Sequence, residues 1–323
     1  MMITKTFNFD DEASLTVYLH EDKEEFSRVG NRPFVLVIPG GGYSFCSERE
    51  GEPIALNFLA QGYHTGVLRY HVGDKRSFEK SLEDAQKALL KIQDLATIWK
   101  IDENKIAAIG FSAGGHLAAA LSNLSPVKPN LCILGYPAIL KSFAQVMQIE
   151  APSLETCVTR ETPPTFLFST FEDNVVPIEN SLLYLRALEE NDIPFEAHIF
   201  QKGLHGLSLA TKMFGAQEKM IDKRFTRWFS EVVEWMEINW ETTRGKRVPE
   251  SLADYSIGDL LEDSNNKDVL LQAFPHWKED RSKLKIVKKL TLFQLSELIP
   301  EKFGEMQCKK ILERLTKPSQ YIT

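Results

Sequence analysis

An α/β fold, with a mostly parallel sheet covered by helices on both faces and a small all-α module after it, is the class this chain predicts. Three observations carry the prediction. Strand and helix patterns alternate from residue 34 to residue 240, as they do in chains built of βαβ units. Two short apolar runs, 34–38 (FVLVI) and 106–109 (IAAI), pass straight into glycine-rich turns, as strands buried on both faces do. Beyond the polar, basic stretch 242–249 (TTRGKRVP) the strand signal stops and only short helical patterns follow.

At 323 residues the chain holds one large unit and an appendage. The boundaries expected are 1–242 for the large unit, 243–250 for a linker and 251–323 for the helical module. A formal net charge of −7 argues against nucleic acid and anionic membrane as partners. No apolar run reaches the length of a membrane span. The N-terminal stretch lacks the apolar core and cleavage pattern of a secretion signal. The four cysteines, Cys46, Cys132, Cys157 and Cys308, have neither metal nor disulfide spacing, so a cytoplasmic setting is expected.

In chain order, 4–9 and 14–19 read as a hairpin around an acidic turn. The strand at 34–38 runs into Pro39-Gly40-Gly41-Gly42-Tyr43. A helix over 53–60, a strand over 64–70 and a long amphipathic helix over 78–99 follow. The strand at 106–109 ends in Gly110-Phe111-Ser112-Ala113-Gly114-Gly115, and an Ala/Leu-rich helix begins at once. After a strand at 131–136 and an irregular stretch from 137 to 164 come a strand at 165–170, a helix after Pro177, and a last strand at 195–200. An aromatic-rich helix over 225–240 completes the large unit. The module is read as helices over 257–262, 267–274, 292–299 and 306–315, with Thr291 and Gln294 forming a capping box.

The chemistry gathers at the carboxyl ends of the strands, where sites form in open parallel sheets. Ser112 sits where a strand turns sharply into a helix, in the G-x-S-x-G setting that lifts a nucleophile clear of the sheet. The following helix start offers unpaired N–H groups to a developing negative charge. A serine hydroxyl needs a base, itself oriented by a third group. Of seven histidines, His20, His64, His198 and His276 lie in a hairpin, in strands or in the module. His71 precedes the nucleophile on the chain, and His116 points from the first turn of the elbow helix toward the sheet. His205, on a glycine-flanked loop after the last strand, is the expected base. Asp173, after the strand at 165–170, is the expected orienting carboxylate, with Glu172 in reserve. The N–H groups of Gly41, Gly42 and Ala113 are expected to hold an oxyanion. By position alone Tyr43, Cys46, Tyr136 and Leu204 would line the pocket. The triple glycine lacks the Lys-Ser/Thr of a phosphate-binding loop.

PGGGY, GFSAGGHLA, EDNVVP and GLHG, in that order across roughly 34–240, resemble the α/β-hydrolase superfamily. Within it they look like the small carboxylesterases grouped with acetyl xylan esterases and other carbohydrate deacetylases. Lipase-like relatives carry histidine before the glycines, where this chain has Pro39. The segment 255–315 is similar to a helical module found at the ends of some carbohydrate-active enzymes. The resemblance implies a serine carboxylesterase, without cofactor or metal, that removes short acyl groups from sugars or oligosaccharides. Its expected partners are that small-molecule or oligosaccharide ester and, in a homo-oligomer, further copies of the chain. The stretch 137–164 is too short for a full lid domain, so an open site is expected. The alternatives are a peptidase of the prolyl-oligopeptidase kind, an aryl formamidase, and a hydrolase fold reused as a non-catalytic scaffold.

Overall fold

The computed structural model describes residues 2–26, 29–215, 217–242, 251–277 and 281–318. The expected linker at 243–250 lies outside them. The chain divides into two compact units, Met1–Glu241 and Thr242–Thr323.

The first unit is built on one eight-stranded sheet in the order β1-β2-β4-β3-β5-β6-β7-β8. Its strands are β1 (Met2–Asn8), β2 (Ser14–His20), β3 (Arg32–Ile38), β4 (His64–Arg69), β5 (Ile101–Phe111), β6 (Leu131–Gly135), β7 (Thr165–Thr170) and β8 (Phe195–Phe200). β1 and β2 form the antiparallel hairpin, and β2 pairs antiparallel with β4. Every other pairing is parallel. The turn of the hairpin follows from Asp10, whose Oδ1 accepts the N–H groups of Glu12 and Ala13, both at 2.8 Å.

The central strands divide their side chains between two cores with the period of two that a pleated strand imposes. Phe34, Leu36 and Ile38 of β3 and Ile106 and Ala108 of β5 enter one core. Val35, Val37, Ala107, Ile109 and Phe111 enter the other. Helices α2 (Phe78–Asp94), α4 (Ala113–Leu124) and α6 (Glu179–Glu190) cover the first face, and α1 (Glu52–Ala60) and α7 (Trp228–Thr242) cover the second. Two short helices, α3 (Ala96–Trp99) and α5 (Lys141–Val146), complete this unit. The helix expected over 78–99 is thus two helices. Its chain breaks at Leu95 and ends on Lys100, whose φ of 53° is left-handed, so the segment turns back into β5. On the second face the Trp228 indole stacks on Phe168 at 4.3 Å and 5°, while its Nε1–H donates to the Ser208 carbonyl at 3.0 Å. That bond satisfies the polar atom of a fully buried ring.

The second unit has its own core of Tyr255, Ile257, Leu260, Leu270, Phe274, Trp277, Leu292, Leu295, Phe303, Cys308 and Ile311. Its helices are α8 (Ile257–Glu262), α9 (Ser264–Ala273), α10 (Arg281–Val287), α11 (Leu292–Leu298) and α12 (Glu305–Leu312). The Thr291/Gln294 capping box is formed, with Thr291 N–H donating to Gln294 Oε1 at 2.9 Å and Gln294 N–H donating to Thr291 Oγ1 at 3.2 Å. α10 was not among the expected helices. Its run RSKLKIV has too few apolar positions to show a face. Among the described residues no helix is long and apolar enough to cross a membrane.

Two histidines of the first unit are held neutral by burial. The His116 pKa is pushed down to about 3 by loss of solvent. That of His64 falls to about 4, first through burial and then through the charges of His20 and Arg32. Both folded values lie below the ordinary histidine value, so the unfolded chain binds more protons under acid conditions. Stability from these rings is complete above pH 6.5 and is lost as pH falls toward 4. His116→Phe keeps the ring and removes the titration. Its stability relative to wild type should therefore improve by about 2 to 3 kcal/mol between pH 7 and pH 4.5, measured by urea unfolding. A constant difference across that range would contradict the assignment.

Candidate active site

Ser112 links β5 to α4 with φ 52° and ψ −116°, a backbone conformation that costs a non-glycine residue energy. The neighbours enforce it. A Cβ placed on Gly114 would stand 2.1 Å from the Ile38 carbonyl oxygen and 2.4 Å from that of Pro39, so the start of α4 can lie against the end of β3 only because residue 114 is glycine. The serine is pinned on both sides. Its N–H donates to the Gly135 carbonyl at 2.9 Å, and its own carbonyl accepts from His116 at 2.9 Å and Ala138 at 3.2 Å.

The loops after β7 and β8 meet above this turn. His205 Nε2 lies 2.8 Å from Ser112 Oγ, and its Nδ1 lies 2.8 Å from Asp173 Oδ2. The other Asp173 oxygen accepts the N–H groups of Val175 at 2.9 Å and Val176 at 2.8 Å. Such a carboxylate is all acceptor, so it fixes the proton on Nδ1 and leaves Nε2 to take the serine proton. Asn174 Oδ1 accepts the His205 N–H at 3.2 Å and ties the two loops together. The Asp173 side chain is 2 % exposed and that of His205 15 %, whereas Glu172, the reserve acid, is exposed.

Of the triple glycine, Gly40 donates its N–H to Glu50 Oε2 at 3.0 Å. Gly41 and Gly42 take φ values of 128° and 62°, and neither N–H donates to a protein acceptor among the described residues. The Ala113 N–H opens α4 and is one of the donors a helix start leaves without an intrahelical acceptor. These three N–H groups are donors without a protein acceptor among the described residues.

The expected pocket residues divide. Leu204 is half-buried beside His205 and packs on the second core. The Tyr136 ring meets His205 edge-on at 5.1 Å between centroids, yet only 2 % of the residue is exposed. Tyr43 is a correction. It is wholly buried, its hydroxyl lies 3.0 Å from His116 Nδ1, and its ring packs edge-on against Tyr70, so it belongs to the core. Its φ of 58° turns the side chain inward from a loop that reads as exposed. Cys46 is a second correction. It lines a small cleft with Tyr18, Glu52 and Arg69 on the side of β2, away from the triad residues, and burial raises its thiol pKa.

His71 offers a rival arrangement and fails on geometry. Its Nδ1 lies 2.6 Å from Asp84 Oδ2 and its Nε2 lies 3.7 Å from Asp10 Oδ2. Each ring nitrogen faces its own carboxylate, which leaves none for a hydroxyl. Sequence reasoning missed Glu50, whose polar contacts are formed only by folding. The sole signal was a charged run, Glu48-Arg49-Glu50, shortly after the glycine loop.

Two family models match. Residues 15–128, which include Ser112, match BD-FAE. Residues 142–234, which include Asp173 and His205, match the prolyl oligopeptidase family. Endo-1,4-beta-xylanase B of Butyrivibrio fibrisolvens is 35% identical over 231 residues, covering 62% of this chain and 35% of that protein. An acetylxylan esterase of Xylanibacter ruminicola is 28% identical over 232 residues, covering 64% and 46%. The chain thus spans less than half the length of these curated relatives. Among solved structures, MGS-M1, an alpha/beta hydrolase enzyme from a Medee basin deep-sea metagenome library, is 40% identical with a TM-score of 0.70, covering 74% of this chain and 98% of that one. Sheet order, nucleophile turn and full-length similarity to that enzyme agree, and the chain belongs to the α/β-hydrolase family.

Proposed function

We propose that this hydrolase is a serine carboxylesterase that removes short acyl groups, acetyl foremost, from sugars or oligosaccharides such as acetylated xylan fragments. The observation that carries the chemistry is the unbroken line Asp173–His205–Ser112, with 2.8 Å at each junction. Ser112 Oγ attacks the ester carbonyl while His205 Nε2 accepts its proton, forming a tetrahedral oxyanion. The N–H groups of Gly41, Gly42 and Ala113 are the donors available to that oxygen, each of the kind worth about 3 kcal/mol in a transition state. His205 returns the proton to the departing sugar hydroxyl. Water, deprotonated by the same nitrogen, then releases the acyl group from Ser112. No step of this cycle calls for a metal or cofactor, and a cytoplasmic setting is part of the proposal.

The substrate class rests on two supports. The relatives named for xylanase and acetylxylan esterase share 35% and 28% identity. The connection from β6 to β7, where a lid would sit, carries only the six-residue α5 and a short 3-10 turn at Leu154–Cys157. A site without a lid admits a bulky alcohol and gives a long acyl chain little apolar cover. The prolyl oligopeptidase match over residues 142–234 favours a second reading, a serine peptidase of the prolyl-oligopeptidase kind, which would use the same three residues on an amide.

Ser112→Ala should lower hydrolysis of p-nitrophenyl acetate by on the order of 10⁶-fold and abolish labelling by a fluorophosphonate probe. Asp173→Asn should lower kcat by about 10³- to 10⁴-fold while leaving the fold intact, because the histidine loses its tautomer. Across a series of p-nitrophenyl esters the acetate should turn over fastest, and acetylated xylo-oligosaccharides should release acetate. Faster turnover of decanoate, or of an acyl-peptide anilide, would replace this reading.

A further inference from the structure

Glu50 is a buried charged side chain, 3 % exposed, that takes no part in the three-residue line. Both of its oxygens face donors. Oε2 accepts the Gly40 N–H at 3.0 Å, and Oε1 accepts the Tyr136 hydroxyl at 2.6 Å. The Tyr136 oxygen in turn accepts the Ser208 N–H at 3.1 Å, which leaves its proton for Glu50 alone. Burial first, and then the charge of Glu50, hold the Tyr136 pKa well above its ordinary value, so the phenol remains a donor.

Gly40 belongs to one of the two loops that the reaction needs in register, and Tyr136, directly after β6, links Glu50 to the other through Ser208. Gly40 precedes the oxyanion glycines. It is held at both ends, because its carbonyl accepts from Ser47 at 2.9 Å while its N–H is on Glu50. It has no lateral freedom either. A Cβ there would meet Glu50 Oε2 and the Phe111 carbonyl at 2.7 Å and Ser112 Cβ at 3.0 Å. Ser208 lies three residues beyond His205, and Tyr136 packs its ring on that imidazole. The adjacent Arg49 makes two more ties to the same loop. Its Nη1 donates to the Gly206 carbonyl at 2.8 Å, and its carbonyl accepts from Ser208 Oγ at 2.7 Å. Tyr136 and Ser208 both hold positive φ, 37° and 53°, strain of the kind a surrounding network must maintain.

We infer that Glu50 is a positioning residue, whose carboxylate locks the oxyanion glycine loop to the histidine loop through Gly40 on one side and Tyr136–Ser208 on the other. It touches neither the nucleophile nor the reacting ester. Its effect is to keep Gly41 and Gly42 at a fixed separation from the Ser112–His205 pair, the pre-organisation on which oxyanion stabilisation depends. The inference rests on Ser112 and His205 acting as nucleophile and base, which the Ser112→Ala experiment tests independently.

Glu50→Gln preserves size but sets an amide NH₂ against one of the two donors. On p-nitrophenyl acetate it should lower kcat by about 10- to 100-fold, with KM changed by less than about threefold. The inhibition constant of a trifluoromethyl ketone, whose serine adduct carries the oxyanion, should rise in parallel with the loss in kcat. Tyr136→Phe cuts the link from the other end, leaves Gly40 on the carboxylate, and should give a smaller loss of the same kind. The double variant should lose less than the product of the two single losses, because both remove one shared contact. A folded Glu50→Gln protein, judged by its near-UV circular dichroism, with kcat within twofold of wild type would overturn the inference. So would a change confined to KM, or ketone affinity unmoved while kcat falls. If Glu50→Gln does not fold, Tyr136→Phe decides by the same criteria, and wild-type kcat in that variant refutes the link.

Discussion

The close approach of the α4 N-terminus to the end of β3 is the constraint from which the rest of the site follows. Gly114 lies against the Ile38 and Pro39 carbonyls with no space for a side chain. That contact forces the chain between β5 and α4 through a single residue, and the residue forced into a left-handed backbone is Ser112. A helix start pressed on a strand end also leaves its first N–H groups without carbonyl partners. One steric condition therefore produces both a hydroxyl turned toward His205 and a place to bind negative charge. The parallel sheet makes the condition useful, because it delivers the loops after β3, β7 and β8 to the same edge.

Around that turn the protein invests buried polar groups that an apolar core would do without. Burying a carboxylate is costly unless donors satisfy it. Asp173 meets two backbone N–H groups and an imidazole, and Glu50 meets a backbone N–H and a phenol. The two acids serve different ends of the same geometry. In the proposed cycle Asp173 sets the tautomer of the base, and in its inferred positioning role Glu50 sets the spacing between two loops. The aromatic packing behind them, from Phe111 through Phe168 to Trp228, gives those loops a stiff floor. The polar atom of Trp228 also returns to the network by way of the Ser208 carbonyl.

The second unit has a different economy. Its helices are short, five of them between residues 257 and 312, and short helices are marginal without packing and caps. Three helix starts are capped by side chains, from Ser256, Asp263 and Thr291. A core centred on the Phe274–Trp277 stack at 4.1 Å supplies the burial. Among the described residues of this unit nothing resembles the strand-end arrangement of the first.

Local pattern was enough to read the strands and the strand-to-helix turn at Ser112, because those depend on periodicity and on glycines adjacent in the chain. β7 at Thr165–Thr170, β8 at Phe195–Phe200 and α8 at Ile257–Glu262 lie where their apolar runs placed them. Ser112, Asp173 and His205 were legible as strand-end residues in a meaningful order, but their 2.8 Å contacts exist only after the sheet brings those ends together. The burial of Tyr43 and the placement of Cys46 in a cleft without the triad residues were decided by the tertiary packing of their loop, which residue type does not report. The role of Glu50 was invisible for a deeper reason. A glutamate between a loop and a helix is ordinarily a solvated charge, and only the fold withdraws it from water and surrounds it with donors 10 and 86 residues away.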